Sequence, residues 1–259
     1  MNILKYFTSD TVNFQDNLYH SQFKGYFKNR KKAYDELKKY ESINSFKTLL
    51  HYLHQKYPIG VIPHYDYPFL FHFNYIFKKI NKKVVVNDYG GSFGPHFNAL
   101  TKYYTNKVKE WNIYEEESIV DDLKQLNLSI GGHNSKLNFF KTNDLIKNCD
   151  IVYACGSIQY YDFDTPLELL NKIPKKPRFV IFNLLPIDSK IKYNIYTLQN
   201  VFNQIVVNTI FSENKFINEM SSYGYKLKDQ WKDYSANCNI LNSDYNLPFY
   251  SGQFYELIS

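Results

Sequence analysis

The tightest constraint on this chain lies in residues 84–94, Val-Val-Val-Asn-Asp-Tyr-Gly-Gly-Ser-Phe-Gly. Three successive β-branched residues form a short apolar run of the length and type of a buried strand. The run ends at Asp88 and turns through Gly90, Gly91 and Gly94, and Pro95 follows where a proline suits the first turn of a helix. His96 to Tyr104 continues in a helix-compatible pattern. A strand that turns on glycines into a helix brings backbone N–H groups and a bare helix N-terminus close to a ligand.

A dinucleotide-binding loop requires G-x-G-x-x-G, and only Gly91-x-x-Gly94 fits, which disfavours an NAD-type oxidoreductase. The pattern Asp88-x-Gly90-x-Ser92-x-Gly94 instead resembles motif I of the class I S-adenosylmethionine-dependent methyltransferases, which usually have glycine where this chain has Ser92. The resemblance implies that Gly90, Gly91, Ser92 and Gly94 wrap the methionine part of the cofactor. It also implies that Asp88 acts through the loop and the cofactor amino group. Small residues permit close backbone approach, and a carboxylate suits an ammonium or sulfonium cation.

Composition limits the alternatives. With 259 residues, 44% hydrophobic and 22% charged, the chain is long enough for a full core and reads as soluble and globular. The 25 Tyr and 21 Phe accompany plentiful Asn, Lys and Ile, a joint skew expected of coding-genome bias rather than of stacking platforms. The net charge of +6 is spread along the chain without a dense basic stripe, and no N-P-P-Y motif of amino-directed nucleic-acid methylases is present. A nucleic-acid partner is therefore not expected. Three cysteines, Cys149, Cys155 and Cys238, form no C-x-x-C pair, and the odd count argues against a disulfide framework. The apolar stretch near Phe179–Ile187 is too short to cross a bilayer, and no apolar leader is read before Ser9-Asp10. These features predict a cytoplasmic protein without membrane insertion.

Along the chain, helical spacing runs from Lys28 to about Tyr57 and again from Tyr67 to Lys79, predicting a helical N-terminal extension or lid over residues 1–80. His51 and His54 could share a helix face, but they lack a third ligand, so no metal site is expected. His64 precedes the central strand and could contact an acceptor, although a loop histidine needs no such role. Val108 to Tyr114 reads as a second strand ending at Glu115, about twenty positions past the glycine loop. An acidic residue there can accept hydrogen bonds from vicinal ribose hydroxyls, and equally can favour the following helix N-terminus.

Leu137 to Phe140 is a third strand, and Thr142-Asn143-Asp144 is expected to cap a following helix. In methyltransferases of this class the same loop reads the adenine, which makes Asn143 and Asp144 candidates for that contact too. The fourth strand, Asp150 to Cys155, runs into Gly156-Ser157-Ile158-Gln159-Tyr160 at the end of the sheet that faces a ligand. Cys155 is read as packing rather than as a nucleophile, for want of a base partner. Further strands are expected at Arg178–Leu185, Ile205–Ile210 and Tyr225–Trp231, with a helix at Ser212–Tyr223 ended by Gly224.

A narrower resemblance rests on several motifs in fixed order: Asp88-x-Gly-Gly-x-x-Gly, Trp111-x-x-x-Glu115, Gly156-Ser-Ile-Gln-Tyr160, Thr197-Leu-Gln-Asn200 and Gly224-Tyr-x-Leu-x-x-x-Trp231, with Phe23-x-Gly25-Tyr26 ahead of them. Together they resemble a methyltransferase family of bacterial surface-polysaccharide gene clusters, over roughly Phe23 to Trp231. The resemblance implies a Rossmann-like α/β fold: a mostly parallel seven-stranded sheet with helices on both faces, as a domain over residues 81–259. It implies S-adenosylmethionine as cofactor, S-adenosylhomocysteine as product, and O-methylation of a capsule or O-antigen sugar, its nucleotide-linked precursor or a phosphoryl decoration.

Cofactor binding is accordingly expected at Asp88, Gly90, Gly91, Ser92, Gly94, Glu115, Asn143, Asp144, Gly156 and Ser157. The acceptor proton could pass to His133 or Asp162, with Tyr160 and Gln159 orienting the acceptor and His64 and His96 as further contacts. A homodimer is compatible with the sequence. The alternative is a noncatalytic scaffold subunit of polysaccharide assembly, kept open by Ser92 and by the lack of an unmistakable base.

Overall fold

The structure, a computed structural model, describes residues 22–40, 61–129, 135–201 and 204–258. Its strands in chain order are β1 (Gln22–Phe27), β2 (Val84–Tyr89), β3 (Val108–Glu115), β4 (Leu137–Lys141), β5 (Ile151–Cys155), β6 (Phe179–Leu185), β7 (Ile187–Asp188), β8 (Ile195–Val201), β9 (Gln204–Ser212), β10 (Tyr225–Asp233), β11 (Cys238–Leu241), β12 (Asn246–Leu247) and β13 (Tyr250–Leu257). Its α-helices are α1 (Arg30–Leu37), α2 (Tyr67–Lys79), α3 (Pro95–Tyr104), α4 (Val120–Ser129), α5 (Leu167–Leu170) and α6 (Glu213–Ser222).

The first sheet has seven strands in the order β10-β13-β6-β5-β2-β3-β4. The five strands from β6 to β4 run parallel, and β13 lies antiparallel between β6 and β10. Being covered on both faces, β2, β5 and β6 are apolar runs rather than alternating ones. Phe69, Phe73 and Ile76 of α2 and Phe97 and Leu100 of α3 cover Val84, Val86, Ile151 and Tyr153 on one side. On the other, Leu169 and Leu170 of α5 and Phe216 and Met220 of α6 cover Val152, Ala154, Val180 and Phe182. The seven-stranded, mostly parallel sheet with helices on both faces is thus a Rossmann-like α/β arrangement, as expected.

A second sheet of six strands, β12-β11-β1-β8-β9-β7, stands beside it. Ile205–Ile210, expected as one more strand of the main sheet, belongs here: β9 pairs antiparallel with β8 and parallel with β7. The chain changes sheets at Leu184 (φ 47°) and Pro186, where β6 gives way to β7. In the N-terminal region α2 falls on the expected Tyr67–Lys79 and α1 covers only the start of the helical run read from Lys28, whose part beyond residue 40 lies outside the described residues. The region also contributes β1, which pairs with β8 and β11. Gly25, at φ 81°, interrupts the alternation that would have marked β1 as a strand. α1 lays Ala33 against Tyr196, Leu198 and Val207 of this second sheet. The expected pair His51 and His54 lies outside the described residues, as does His133.

Candidate functional site

The site forms where β2 ends. Asp88 is fully buried, and the chain then passes Gly90 (φ 68°), Ser92 (φ 52°) and Gly94 (φ 88°) before α3 begins at Pro95. The close approach that requires glycine here is within the protein. A Cβ on Gly90 would lie 2.3 Å from the Ser157 Cβ, and one on Gly91 would lie 2.4 Å from Asp88 Oδ2. The turn is therefore folded down onto its own acidic residue and onto the loop after β5. Ser157 completes the clamp by donating its hydroxyl hydrogen bond to the Tyr89 carbonyl.

Asp88 Oδ2 accepts a hydrogen bond from Trp111 Nε1 at 2.9 Å, whereas buried Oδ1 has no partner among the described residues. Burial pushes the Asp88 carboxyl up to about 6, with His96 and the Trp111 bond opposing the shift. At the end of the neighbouring strand, Glu115 accepts from the Ser92 N–H at 2.8 Å and from its neighbour Glu116 N–H at 3.4 Å. Burial pushes Glu115 up to about 7 against those two bonds. Two buried carboxyls at adjacent strand ends, one with an unused oxygen, suit a ligand that offers a cation and hydroxyl donors. The Tyr89 hydroxyl is also buried and without a partner among the described residues, and the Tyr89 ring stacks on that of Tyr114 with centroids 5.5 Å apart.

The other sequence candidates separate into groups. Gly156 (φ 59°) and Ser157 follow the carboxyl end of β5, where Ser157 lies against the glycine turn and Gly156 against Leu184. Asn143 and Asp144 are exposed, and no helix follows them: Asp144 Oδ2 instead accepts from the Lys141 N–H at 2.8 Å and closes a turn. The helix cap read there is corrected accordingly, since residues 145–149 form no regular element.

Gln159 and Tyr160 reveal a contact that spacing alone could not. The side chains of Gln159 and of Gln199 on β8 lie near the Tyr160 hydroxyl, where they oppose the upward push of burial on it. The Gly156–Tyr160 and Thr197–Asn200 motifs are thereby brought together across the two sheets. Asp162 is held by α1: its carboxylate accepts from Tyr34 and from Arg30 Nη1 at 3.2 Å. Arg30 also donates to the Tyr161 and Phe163 carbonyls and to Asp164, fixing the whole loop.

His64 is exposed, with Nε2 3.8 Å from Asp233 Oδ1 at the end of β10. His96 is buried, and its Nδ1 meets Asp66 Oδ2 at 2.8 Å. Burial works against the imidazolium, but Asp66 and Cys155 outweigh it and hold the His96 pKa well above its usual range. Cys155, read from sequence as lacking a base partner, has its thiol within 4.8 Å of a His96 ring nitrogen and an Asp66 carboxylate oxygen. Asp66 was not singled out in the sequence. It lies just before α2, fully buried, and its Oδ1 accepts from Tyr153 at 3.2 Å.

A cavity of about 620 Å³ opens at the same carboxyl end of the sheet, beyond β6 and between β10 and the start of β13. Trp231, Tyr234 and Phe249 give it aromatic walls, and Asp188, Lys190 and Lys232 give it charge. Among the described residues neither lysine forms an ion pair with a carboxylate, and the Lys232 ammonium sits 4.4 Å over the Phe249 ring. Asp188 is engaged by the Tyr245 hydroxyl at 2.8 Å and by the Lys190 N–H.

No protein-family model matches the sequence, and no curated protein matches it. Among solved structures, the chain is similar to an O-methyltransferase family 2 protein from Planctomyces limnophilus in complex with apigenin, at 10% identity and TM-score 0.47, over 69% of this chain and 51% of that one. It is also similar to TrmK of M. capricolum in complex with S-adenosyl-homocysteine, at 16% identity and TM-score 0.42, over 72% of this chain and 68% of that one. The chain thus spans about half the length of the Planctomyces protein. Likenesses this distant carry no argument about activity, which has to come from the site itself.

Proposed function

We propose that the protein is an S-adenosylmethionine-dependent methyltransferase acting on an oxygen of a sugar or sugar phosphate of a surface glycan. The observation that carries the donor half is the buried Asp88 carboxyl, whose Oδ1 has no partner among the described residues, beneath a glycine turn and beside Glu115. Asp88 would take the cofactor ammonium, and Glu115, with lone pairs left after its two backbone bonds, would take the ribose hydroxyls. The pattern from Asp88 to Gly94 supports the same assignment. When bound, S-adenosylmethionine supplies a sulfonium methyl that transfers by in-line displacement.

The chain's own task is alignment and exclusion of water. Tyr160, with Gln159 and Gln199 close by, would line the acceptor wall next to Ser157. The 620 Å³ cavity has the size, aromatic walls and lysine ammonium groups that suit a sugar carrying an anionic group. A phosphoryl oxygen is already anionic and requires positioning alone, whereas a hydroxyl requires a base, for which His133 remains the sequence candidate. The Arg30 and Tyr34 bonds on Asp162 argue against that carboxylate as the base.

The test is incubation with methyl-labelled S-adenosylmethionine and a panel of nucleotide sugars, sugar phosphates and capsule oligosaccharides. Label transferred to oxygen in a sugar-bearing acceptor supports the reading. Transfer only to nucleic acid or to nitrogen contradicts it.

One observation favours a second reading, a noncatalytic scaffold of the same fold. Trp111, Ser92 and Glu116 already occupy part of both carboxyls, so the turn is closed by bonds of its own. Cofactor binding without transfer to any member of the panel would select that reading.

A further inference from the structure

Three side chains outside the donor site converge in one cluster: buried Asp66 ahead of α2, buried His96 in the first turn of α3, and half-buried Cys155 at the end of β5. One ligand atom from each, a carboxylate oxygen, an imidazole nitrogen and the thiol sulfur, lies within 4.8 Å of the other two. We propose that Asp66, His96 and Cys155 form a binding site for a borderline transition-metal dication of the zinc type. The inference does not depend on the methyl-donor reading.

Three observations carry it. The donor set is mixed N, O and S, the combination such ions select, and three protein ligands with one position left over is the usual form of a non-structural zinc site. The geometry needs little change, because bonds of about 2.0–2.3 Å around one ion place the ligand atoms roughly 3–4 Å apart. Charge also balances, since a carboxylate, a neutral imidazole and a thiolate together offset a dication and leave no net charge in a buried place. Tyr153, donating to Asp66 Oδ1 at 3.2 Å, supplies the outer hydrogen bond that orients a ligating carboxylate. An ion here would tie the segment ahead of α2 to the helix that follows the glycine turn and to the end of β5, two residues before Ser157.

The competing account is a self-sufficient Asp66–His96 ion pair with a bystander thiol. The test uses the full chain stripped with a chelator and titrated with Co²⁺. The expected result is one equivalent bound, with a thiolate-to-cobalt charge-transfer band that Zn²⁺ abolishes by displacement. That band is lost in Cys155→Ser and kept in Cys149→Ser. His96→Ala should weaken Co²⁺ binding by at least about tenfold. A readout that needs no variant is alkylation by iodoacetamide, resolved by peptide mass: Zn²⁺ should slow labelling of Cys155 and leave Cys149 unchanged. Absence of the band, its persistence in Cys155→Ser, or Cys155 labelling indifferent to Zn²⁺ would overturn the proposal.

Discussion

Trp111 Nε1 donates to Asp88 Oδ2 at 2.9 Å, a bond between neighbouring parallel strands that fixes the orientation of the one carboxyl beneath the glycine turn. Both residues are fully buried, so the bond cannot be replaced by bulk water. Replacing Trp111 by Phe keeps much of the ring packing against Phe69 and Phe73 but leaves a second Asp88 oxygen bare. The expected loss of stability is about 1–3 kcal/mol, read as a shift in the urea midpoint at unchanged slope.

Burial raises Asp88 to about 6 and Glu115 to about 7. A carboxyl whose folded value exceeds its unfolded one holds its proton more tightly in the folded state. The stability it contributes is complete below the ordinary carboxylate range and is lost as pH rises through the folded value. The ligand-free protein should therefore melt at lower temperature as pH climbs through 6 and 7, and Glu115→Gln should flatten the upper part of that decline. Affinity for S-adenosylhomocysteine should change with the opposite sign, tightening over the same window as the carboxylates ionise to accept its donors. Melting curves and titrations across that window check both signs.

Ser92 stands at φ 52°, a left-handed conformation that costs a non-glycine residue about 1–2 kcal/mol. Ser92→Gly should thus be tolerated or slightly stabilising while the backbone N–H bond to Glu115 persists. Gly90→Ala should fail, since its Cβ would meet the Ser157 Cβ at 2.3 Å and its φ is 68°. Thermal melting of the two variants should move in opposite directions.

Arg30 anchors the loop after β5 by donating to the carbonyls of Tyr161 and Phe163 as well as to Asp162 and Asp164. A lysine cannot reproduce that fork, so Arg30→Lys should behave nearly as Arg30→Ala in loop protection measured by hydrogen exchange. Asp162→Asn should lower methyl transfer by less than roughly tenfold, whereas loss of a general base costs about 10²–10⁴-fold.

The glycine turn, α2 and the strand ends were legible because each is a local pattern: a β-branched run, a helical stripe, a proline at a helix start. The exposed turn at Asn143 and Asp144 misled, since the same residue types serve turns and helix caps. The second sheet was largely hidden. Its strands β1, β8 and β11 are short and pair across most of the chain, and such pairing leaves no periodic trace. The same holds for the site. The glycine-turn pattern makes Asp88 a candidate and spacing adds Glu115, but Asp66 meets His96 and Cys155 only through the tertiary fold, and Gln199 comes near Tyr160 only because the two sheets meet.

The most direct test of the central claim is calorimetric titration of the full chain with S-adenosylhomocysteine, with Asp88→Asn as control and NADH as a second ligand. The account predicts saturable binding of S-adenosylhomocysteine, markedly weakened in Asp88→Asn, and none of NADH. No binding by a folded wild-type protein, or binding indifferent to Asp88, would contradict it.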